Sequence, residues 1–332
     1  MNVKKPQLVY SSVPDDQVPL LSIVTLCYNT GRFVVEGMTA MLPQITAQVE
    51  HVILDDGSGD DSVGLLVDFA NSHGYPVRIY ANPENCGITE SKSRILKLAK
   101  GKFIAGCADD LFLPERIDHD LRMIESLPDR AAGFYSWVLP FSVDADGVRH
   151  HHQNPIGKLE GANEQTVLTS AELVHHLRQG NFIPAMGVCL RKSVYDAFPQ
   201  DTSYFIEDYP MWAKLAQSGW SLGYSPAITT LYRRAEHSVQ RSSPLKVDFD
   251  VLRVQLEILG IRRREFDRAM KERWFRVVCE ADEHIVGQLV EICQLASDSA
   301  GILLVLAKLK LSHRLRWILS NLSLKLNFWR YL

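Results

Sequence analysis

Gly101-Lys102-Phe103-Ile104-Ala105-Gly106-Cys107-Ala108-Asp109-Asp110-Leu111-Phe112-Leu113-Pro114-Glu115-Arg116 is the stretch on which the reading of the chain turns. The apolar run from Phe103 to Cys107 has the length of a strand and ends in two adjacent carboxylates. Pro114 then opens a helix expected over Glu115 to Glu125. In open α/β sheets ligands gather beyond the carboxyl ends of the strands, so acids placed there face a crevice. Two neighbouring carboxylates repel and raise one another's pKa until a cation relieves them. A divalent metal that also bridges phosphate oxygens is such a relief, because Mg²⁺ and Mn²⁺ take oxygen ligands and keep few protein contacts. An aspartate ahead of a helix is equally an N-cap that satisfies orphan N–H groups. On the stretch alone both readings stand.

Upstream the same order of strand, polar loop and helix recurs. Leu20 to Tyr28 reads as a buried strand that stops at Asn29-Thr30-Gly31, and a helical pattern follows from Arg32 to Thr46. A second strand, His51 to Leu54, ends in Asp55-Asp56-Gly57-Ser58-Gly59-Asp60-Asp61 and leads into a helix over Ser62 to Ser72. A third strand, Val77 to Tyr80, is followed by the loop Asn82-Pro83-Glu84-Asn85-Cys86-Gly87 and a helix from Ile88 to Lys100. Nearly all-apolar strands alternating with helices predict a parallel sheet covered on both faces. The polar loops then share one sheet edge, the candidate nucleotide site.

Downstream the pattern changes. Ala131 to Val143 reads as strand and turns at Asp144-Ala145-Asp146-Gly147, where Asp-Gly between strand-like runs signals a hairpin ahead of a D-x-D metal motif. His150-His151-His152 reads as solvated, since consecutive side chains in a loop point different ways. After a helix over Ser170 to Gln179, Asn181 to Lys192 reads as a strand. Glu207-Asp208 precedes Pro210, which opens a helix to Gln217, so an acid pair again meets a helix start. From Lys246 the periodicity is helical, and the stretch 301–332 mixes leucines with Lys308, Lys310, Arg314, Arg316, Lys325 and Arg330, without an acid after Asp298. With Trp317, Phe328, Trp329 and Tyr331 it fits an amphipathic helix on an anionic membrane surface, or equally a terminal helix packed on the domain or on a second subunit of a homo-oligomer. The expected division is a nucleotide-binding and catalytic domain over 1–240 and a helical region over 241–332.

Composition bounds the function. At 332 residues, 46% hydrophobic and 23% charged, the chain has the balance of a globular protein with a full core. A net charge of -3 lacks the basic face that nucleic acid requires. Six cysteines without C-x-x-C spacing suggest neither a disulfide framework nor a zinc site. The N-terminal residues lack a signal peptide's apolar stretch and no long apolar run follows, so a cytoplasmic protein, peripheral at an inner membrane face if the tail binds lipid, is expected.

Taken together, Ile23 to Asn29, Val52 to Ser58, Asn85-Cys86-Gly87, Ala108-Asp109-Asp110 and Glu207-Asp208 resemble, in order and spacing, the family 2 glycosyltransferases, inverting enzymes of the GT-A fold. The resemblance covers roughly residues 20–240. It implies a Rossmann-like α/β fold with a mostly parallel central sheet, helices on both faces and here a C-terminal helical extension. It also implies a nucleotide-sugar donor held by the Thr25–Asn29 and Asp55–Ser58 loops. An aspartate of the Asp55-Asp56 pair would accept the uracil imide N–H, a sound match for an acceptor-only carboxylate, and Thr25 and Tyr28 would pack around the base. Asn85, Gly87 and Ala108 complete the implied donor site. Lys92 and Arg94 add charge near a phosphate or form a solvated face. The family's D-x-D element implies Mg²⁺ or Mn²⁺ held by Asp109 and Asp110. Its commonest spelling would put an aspartate where this chain has Cys107, and His237, in a partial match that runs from Tyr232, is an implied further contact to the metal or the diphosphate. In the E-D motif Asp208 would be the catalytic base and Glu207 would position the acceptor, a glycan or lipid-linked glycan; Trp212 either floors that site or belongs to the core. A nucleotidyltransferase would want a glycine- and lysine/arginine-rich phosphate loop that Asn29 to Arg32 does not supply, whereas Cys107 leaves room for a non-catalytic nucleotide- or glycan-binding homologue.

Overall fold

A computed structural model describes residues 5–16, 18–234, 243–261, 265–280, 285, 288–289 and 291–292. The proposed ligand His237 and the basic tail 301–332 lie outside these residues. Among the described residues no helix is long and apolar enough to cross a membrane.

The strands are β1 (Gln7–Ser11), β2 (Leu21–Cys27), β3 (Val49–Asp55), β4 (Arg78–Ala81), β5 (Phe103–Gly106), β6 (Leu111–Phe112), β7 (Ala131–Val143), β8 (Arg149–His151), β9 (Thr166–Leu168), β10 (Val188–Arg191) and β11 (Ser221–Arg233). They form one sheet in the order β1-β4-β3-β2-β5-β10-β7-β11-β6, with β8 on β7 and β9 on β11. The run β4-β3-β2-β5 is parallel, as its alternation with α1 (Gly31–Met41), α2 (Ser62–His73) and α3 (Ile88–Leu98) requires. Antiparallel β10 then joins β5 to β7, and β7 runs parallel to β11. The expected α/β architecture is present.

Strand parity builds the two faces. Leu21 and Ile23 of β2 and Val49 and Ile53 of β3 pack with Val34, Met38 and Met41 of α1, Leu66 of α2, and Ile117 and Ile124 of α4 (Arg116–Ser126). The alternate residues Val24, Leu26, Val52 and Leu54 meet Ile95 and Leu98 of α3 on the other side. The fully buried aliphatic side chains among them, such as Ile23, Val52 and Ile53, each stabilise the fold by roughly 1.5–3 kcal/mol over exposure. Behind the strands' amino ends, Glu50 pairs with Arg78 and accepts Ser22 Oγ and the Lys100 N–H, both at 2.5 Å, tying β3 to β4, β2 and the entry to β5. Strands β1, β6, β8, β9 and β11 are additional to those the sequence suggested, and Asn181 to Lys192 contains only the strand β10, preceded by the tight turn Ala185–Gly187. The Asp144–Gly147 turn is the expected hairpin, with His150 to His152 exposed.

The chain divides into two compact units. The first comprises Met1–Leu173, Asn181–Thr202 and Ser218–Ala235, the second Val174–Gly180, Ser203–Gln217 and Glu236–Leu332. In the second, the helix Asp208–Gln217 contributes buried Tyr209, Met211, Trp212 and Leu215, and the helix Pro244–Arg253 runs into the π-turn Val254–Ile258. There the Leu259 N–H bonds the Val254 carbonyl at 2.9 Å. The helix Arg268–Glu280 adds buried Trp274 and Phe275.

Candidate functional site

The carboxyl ends of β2, β3, β4 and β5 bring the first unit's candidates to one edge, where the loops are bonded to one another. Asn29, at φ +55, accepts the Gly59 N–H on Oδ1 at 2.9 Å, and its own N–H reaches Ser58 Oγ at 2.9 Å, locking the β2–α1 loop to the β3–α2 loop. Gly31, opening α1, donates its N–H to Ser62 Oγ at 3.0 Å. Asp55 turns its carboxylate onto Ser58, accepting the N–H at 2.9 Å and the hydroxyl at 2.5 Å. Asp56 faces the other way and accepts from Asn82 Nδ2 at 2.8 Å, Ser91 Oγ at 2.6 Å, and the Cys86 and Gly87 N–H groups at 2.9 and 3.0 Å. One buried carboxylate thus fixes the whole β4–α3 loop, and Asn85 closes it by accepting the Gly87 N–H on Oδ1 at 3.0 Å.

Exposure separates the expected donor residues. Tyr28 is 48% exposed, Asn85 lies at the surface, and Gly87 and Ala108 are half-buried. Thr25 corrects the expectation that it packs around a base: it is 1% exposed and its hydroxyl lies within the sheet, donating to the Cys107 carbonyl and meeting His51 Nε2 at 2.9 Å. It stands on the strand face of Ile23 and Cys27, which packs against helices. Arg94 bonds Glu90 and Asn82 Oδ1, each at 2.8 Å, so it braces the Asn82 loop, and Lys92 is half-buried on the same helix.

At the end of β5 the two aspartates part company. Asp109 is half-buried and its carboxyl pKa is raised, chiefly by burial, with Arg233 opposing the shift. Asp110 is 1% exposed and its Oδ1 accepts the Arg233 N–H at 2.7 Å. Burial, and next the charge of Asp109, push Asp110 up to about 8. Such a geometry leaves Asp109 as the accessible acid and gives Asp110 a structural duty. Cys107 belongs to the apolar cluster, with its thiol pKa driven up by burial, so its side chain is a neutral core group. Among the described residues no group of three His, Cys, Asp or Glu could enclose a metal. What the edge does offer is one reachable carboxylate beside a second acid, which suits a hard cation that takes most of its oxygens from a phosphate and water.

Sequence reading missed Glu36, and within the partial match that starts at Tyr232 it singled out His237 and passed over Arg233. The Arg233 guanidinium donates to the Asp109 carbonyl at 2.8 Å, pairs with Glu36 of α1, and lies over the rings of Phe33 and Phe141 at 4.4 and 4.8 Å. Nothing local in the sequence signals these contacts, since the partners come from three separate segments, the β5–β6 turn, α1 and β7.

In the second unit, Glu207 and Asp208 are half-buried and Asp208 opens its helix, Oδ1 accepting the Tyr209 N–H at 2.7 Å. The approach to this pair is held by Asp250, also missed, whose Oδ2 accepts the Phe205 and Ile206 N–H groups at 2.5 and 2.9 Å. Tyr209 donates its hydroxyl to the Leu177 carbonyl at 2.6 Å and is met by Gln255 from the π-turn. Trp212 is 4% exposed, which places it in the core.

Residues 22–186 match the family model described as Glycosyl transferase family 2. A chondroitin synthase of Escherichia coli is 26% identical over 75% of this chain and 34% of its own length. A glycosyltransferase, GlyG, of Streptococcus pneumoniae serotype 4 is 32% identical over 32% of this chain and 34% of its own. The chain thus spans about a third of the length of these curated relatives. Among solved structures, S. aureus TarS residues 1–349 with UDP-GlcNAc superposes with a TM-score of 0.55 at 13% identity, covering 86% of this chain and 90% of that one. The mannosyltransferase PcManGT of Pyrobaculum calidifontis, with GDP-Man and Mn²⁺, superposes at 0.53 and 11% identity over 98% and 91%. That likeness is one of fold, the GT-A arrangement of helices about a mostly parallel central sheet. Agreement between the family match and the loops it spans leads to the conclusion that this chain belongs to glycosyl transferase family 2.

Proposed function

We propose that the chain is a glycosyltransferase that moves a sugar, with inversion, from a nucleotide-diphosphate donor of the UDP type to a hydroxyl of a glycan or lipid-linked glycan. The observation that carries the reading is the carboxyl edge of β2 to β5, where bonded loops hold Asp55 and Asp56 and leave Asp109 as the reachable acid. In this reading one of the two loop aspartates accepts the base N–H, Tyr28, Asn29, Asn85, Gly87 and Ala108 bound the nucleotide, and Lys92 and Arg94 contribute charge near its phosphates. Asp109 would hold Mg²⁺ or Mn²⁺ by its carboxylate, with Asp110 behind it and His237 as a further ligand. When bound there, such a cation would supply charge neutralisation for the departing diphosphate. Asp208 takes the proton of the acceptor hydroxyl as its oxygen bonds the anomeric carbon and the bond to the diphosphate oxygen breaks. Glu207 positions the acceptor. The basic tail 301–332 would set the enzyme against an anionic membrane face, where lipid-linked acceptors reside.

The test is a panel of UDP- and GDP-sugars scored for donor hydrolysis and transfer with Mn²⁺, Mg²⁺ or chelator. Donor turnover should require the metal and vanish in Asp109→Asn. The Asp208→Asn variant should still bind donor while losing transfer by about 10²- to 10⁴-fold. Turnover indifferent to chelator removes the metal, and unchanged transfer in the Asp208 variant removes the base.

A further inference from the structure

We propose that Arg233, held in orientation by Glu36, is the positioning residue that sets the Asp109 carboxylate for metal-diphosphate binding, an inference that rests on the function proposed above. Arg233 is the last residue of β11 and is only 8% exposed, although it carries a guanidinium. Its groups are divided between the two halves of the acidic turn. The backbone N–H is taken by Asp110 Oδ1 at 2.7 Å, and Nε donates to the Asp109 carbonyl at 2.8 Å. A turn gripped at the carbonyl of one residue and the side chain of the next has little freedom to rotate, so the direction of the Asp109 side chain follows from where Arg233 stands.

The guanidinium is in turn fixed from three sides. Nη2 pairs with Glu36, and the rings of Phe33 and Phe141 lie 4.4 and 4.8 Å from its carbon. Glu36 also receives Arg149 at 2.8 Å, from the strand β8 beyond the Asp144 hairpin. Phe33 and Glu36 sit on α1, and Gly37 of the same helix lets it approach closely: a Cβ there would lie 3.2 Å from the Asp110 carbonyl. A planar fork with several donors can serve the Asp109 carbonyl and Glu36 together, whereas a lysine ammonium at the end of its stem reaches one of them. The charge matters as well as the shape. Arg233 opposes the mutual repulsion of two acids that burial has already disfavoured, so the turn keeps a cation beside it before any metal arrives. A metal would then be recruited to a carboxylate whose backbone is pre-set, the arrangement by which outer contacts tune affinity at metal sites.

Calorimetric titration of UDP and of GDP, each with and without Mn²⁺, tests this on the full chain with Arg233→Gln, Arg233→Lys and Glu36→Gln, alongside thermal melts. The wild type should bind one nucleotide more tightly with Mn²⁺. Arg233→Gln should lose that metal-dependent gain by about 10- to 100-fold while metal-free nucleotide binding stays near wild type. Arg233→Lys should lose several-fold and fail to rescue, and half-exposed Glu36→Gln should show a smaller loss in the same direction. If Arg233→Gln does not fold, the Lys variant decides by the same ratio. A purely structural arginine would lower the melting temperature and leave the ratio of affinities with and without metal unchanged, which overturns the proposal. Full rescue by lysine overturns it too, since charge alone would then suffice. A wild type that binds neither nucleotide with metal overturns the proposed function itself, and this inference with it.

Discussion

His51 has no exposed surface, yet both ring nitrogens are satisfied: Nδ1 lies 2.9 Å from the Tyr75 hydroxyl and Nε2 2.9 Å from Thr25 Oγ1. Thr25 has a single hydroxyl proton and spends it on the Cys107 carbonyl, so His51 Nε2 must donate and Nδ1 must accept from Tyr75. Protonating the ring would set two donors against each other in a dry interior, and burial holds the His51 pKa down at about 3. An unfolded histidine titrates near its ordinary value, so between roughly pH 6.5 and 3 the unfolded chain binds the extra proton. His51 therefore costs nothing above pH 7 and withdraws on the order of a few kcal/mol as pH falls through that window. Urea denaturation at pH 8 and pH 4 should show the wild type losing more stability on acidification than His51→Gln, although the variant starts lower. Equal losses would mean that the ring is not the group titrating. The same chain explains what the sequence could and could not disclose about single residues. Tyr28 and Thr25 look alike as polar residues near a strand end, but Thr25 lies within β2 and shares its parity with Ile23 and Cys27, so it points into the face packed against α1, α2 and α4. Asp109 and Asp110 are adjacent letters, and only a partner more than a hundred positions away tells them apart.

At the scale of elements, the parallel strands and the helices between them were legible because each strand is apolar on both faces and each ends in a punctuated loop. Strands β6 and β9 were not, being two and three residues long and specified by their partner β11 instead of by a periodicity of their own. The loops of the candidate site show how elements are joined. Gly57 adopts φ +71 and passes so close to the β4–α3 loop that a Cβ would lie 2.7 Å from the Asn85 nitrogen and the Glu84 carbonyl carbon. A side chain here strains the backbone by roughly 1–2 kcal/mol and also pushes apart the two loops that Asp56 joins. Gly57→Ala should lower stability by at least that amount and weaken UDP binding by a larger factor than its melting temperature alone would suggest. Unchanged nucleotide affinity in a destabilised variant would separate this loop pair from the donor site.

For the whole molecule, the first unit is a single sheet whose outermost strand on one side is β1. It lies antiparallel on β4, with an irregularity between Leu8 and Tyr10, and Ser12 pins its end through the Tyr75 carbonyl at 2.7 Å and the Val77 carbonyl at 3.1 Å. Nothing in the residues ahead of Leu20 advertised a strand, because Leu8 and Val9 are half exposed and the pairing is supplied by β4. This short ribbon behaves as a hem. Were residues 1–12 cut away, the amides and carbonyls of Arg78 to Ala81 would lose their cover and become a raw border open to strands of other copies. Light scattering should then reveal more self-association in the trimmed chain than in the full one, and fusions or cleavage sites are better set at a distance from that stitching.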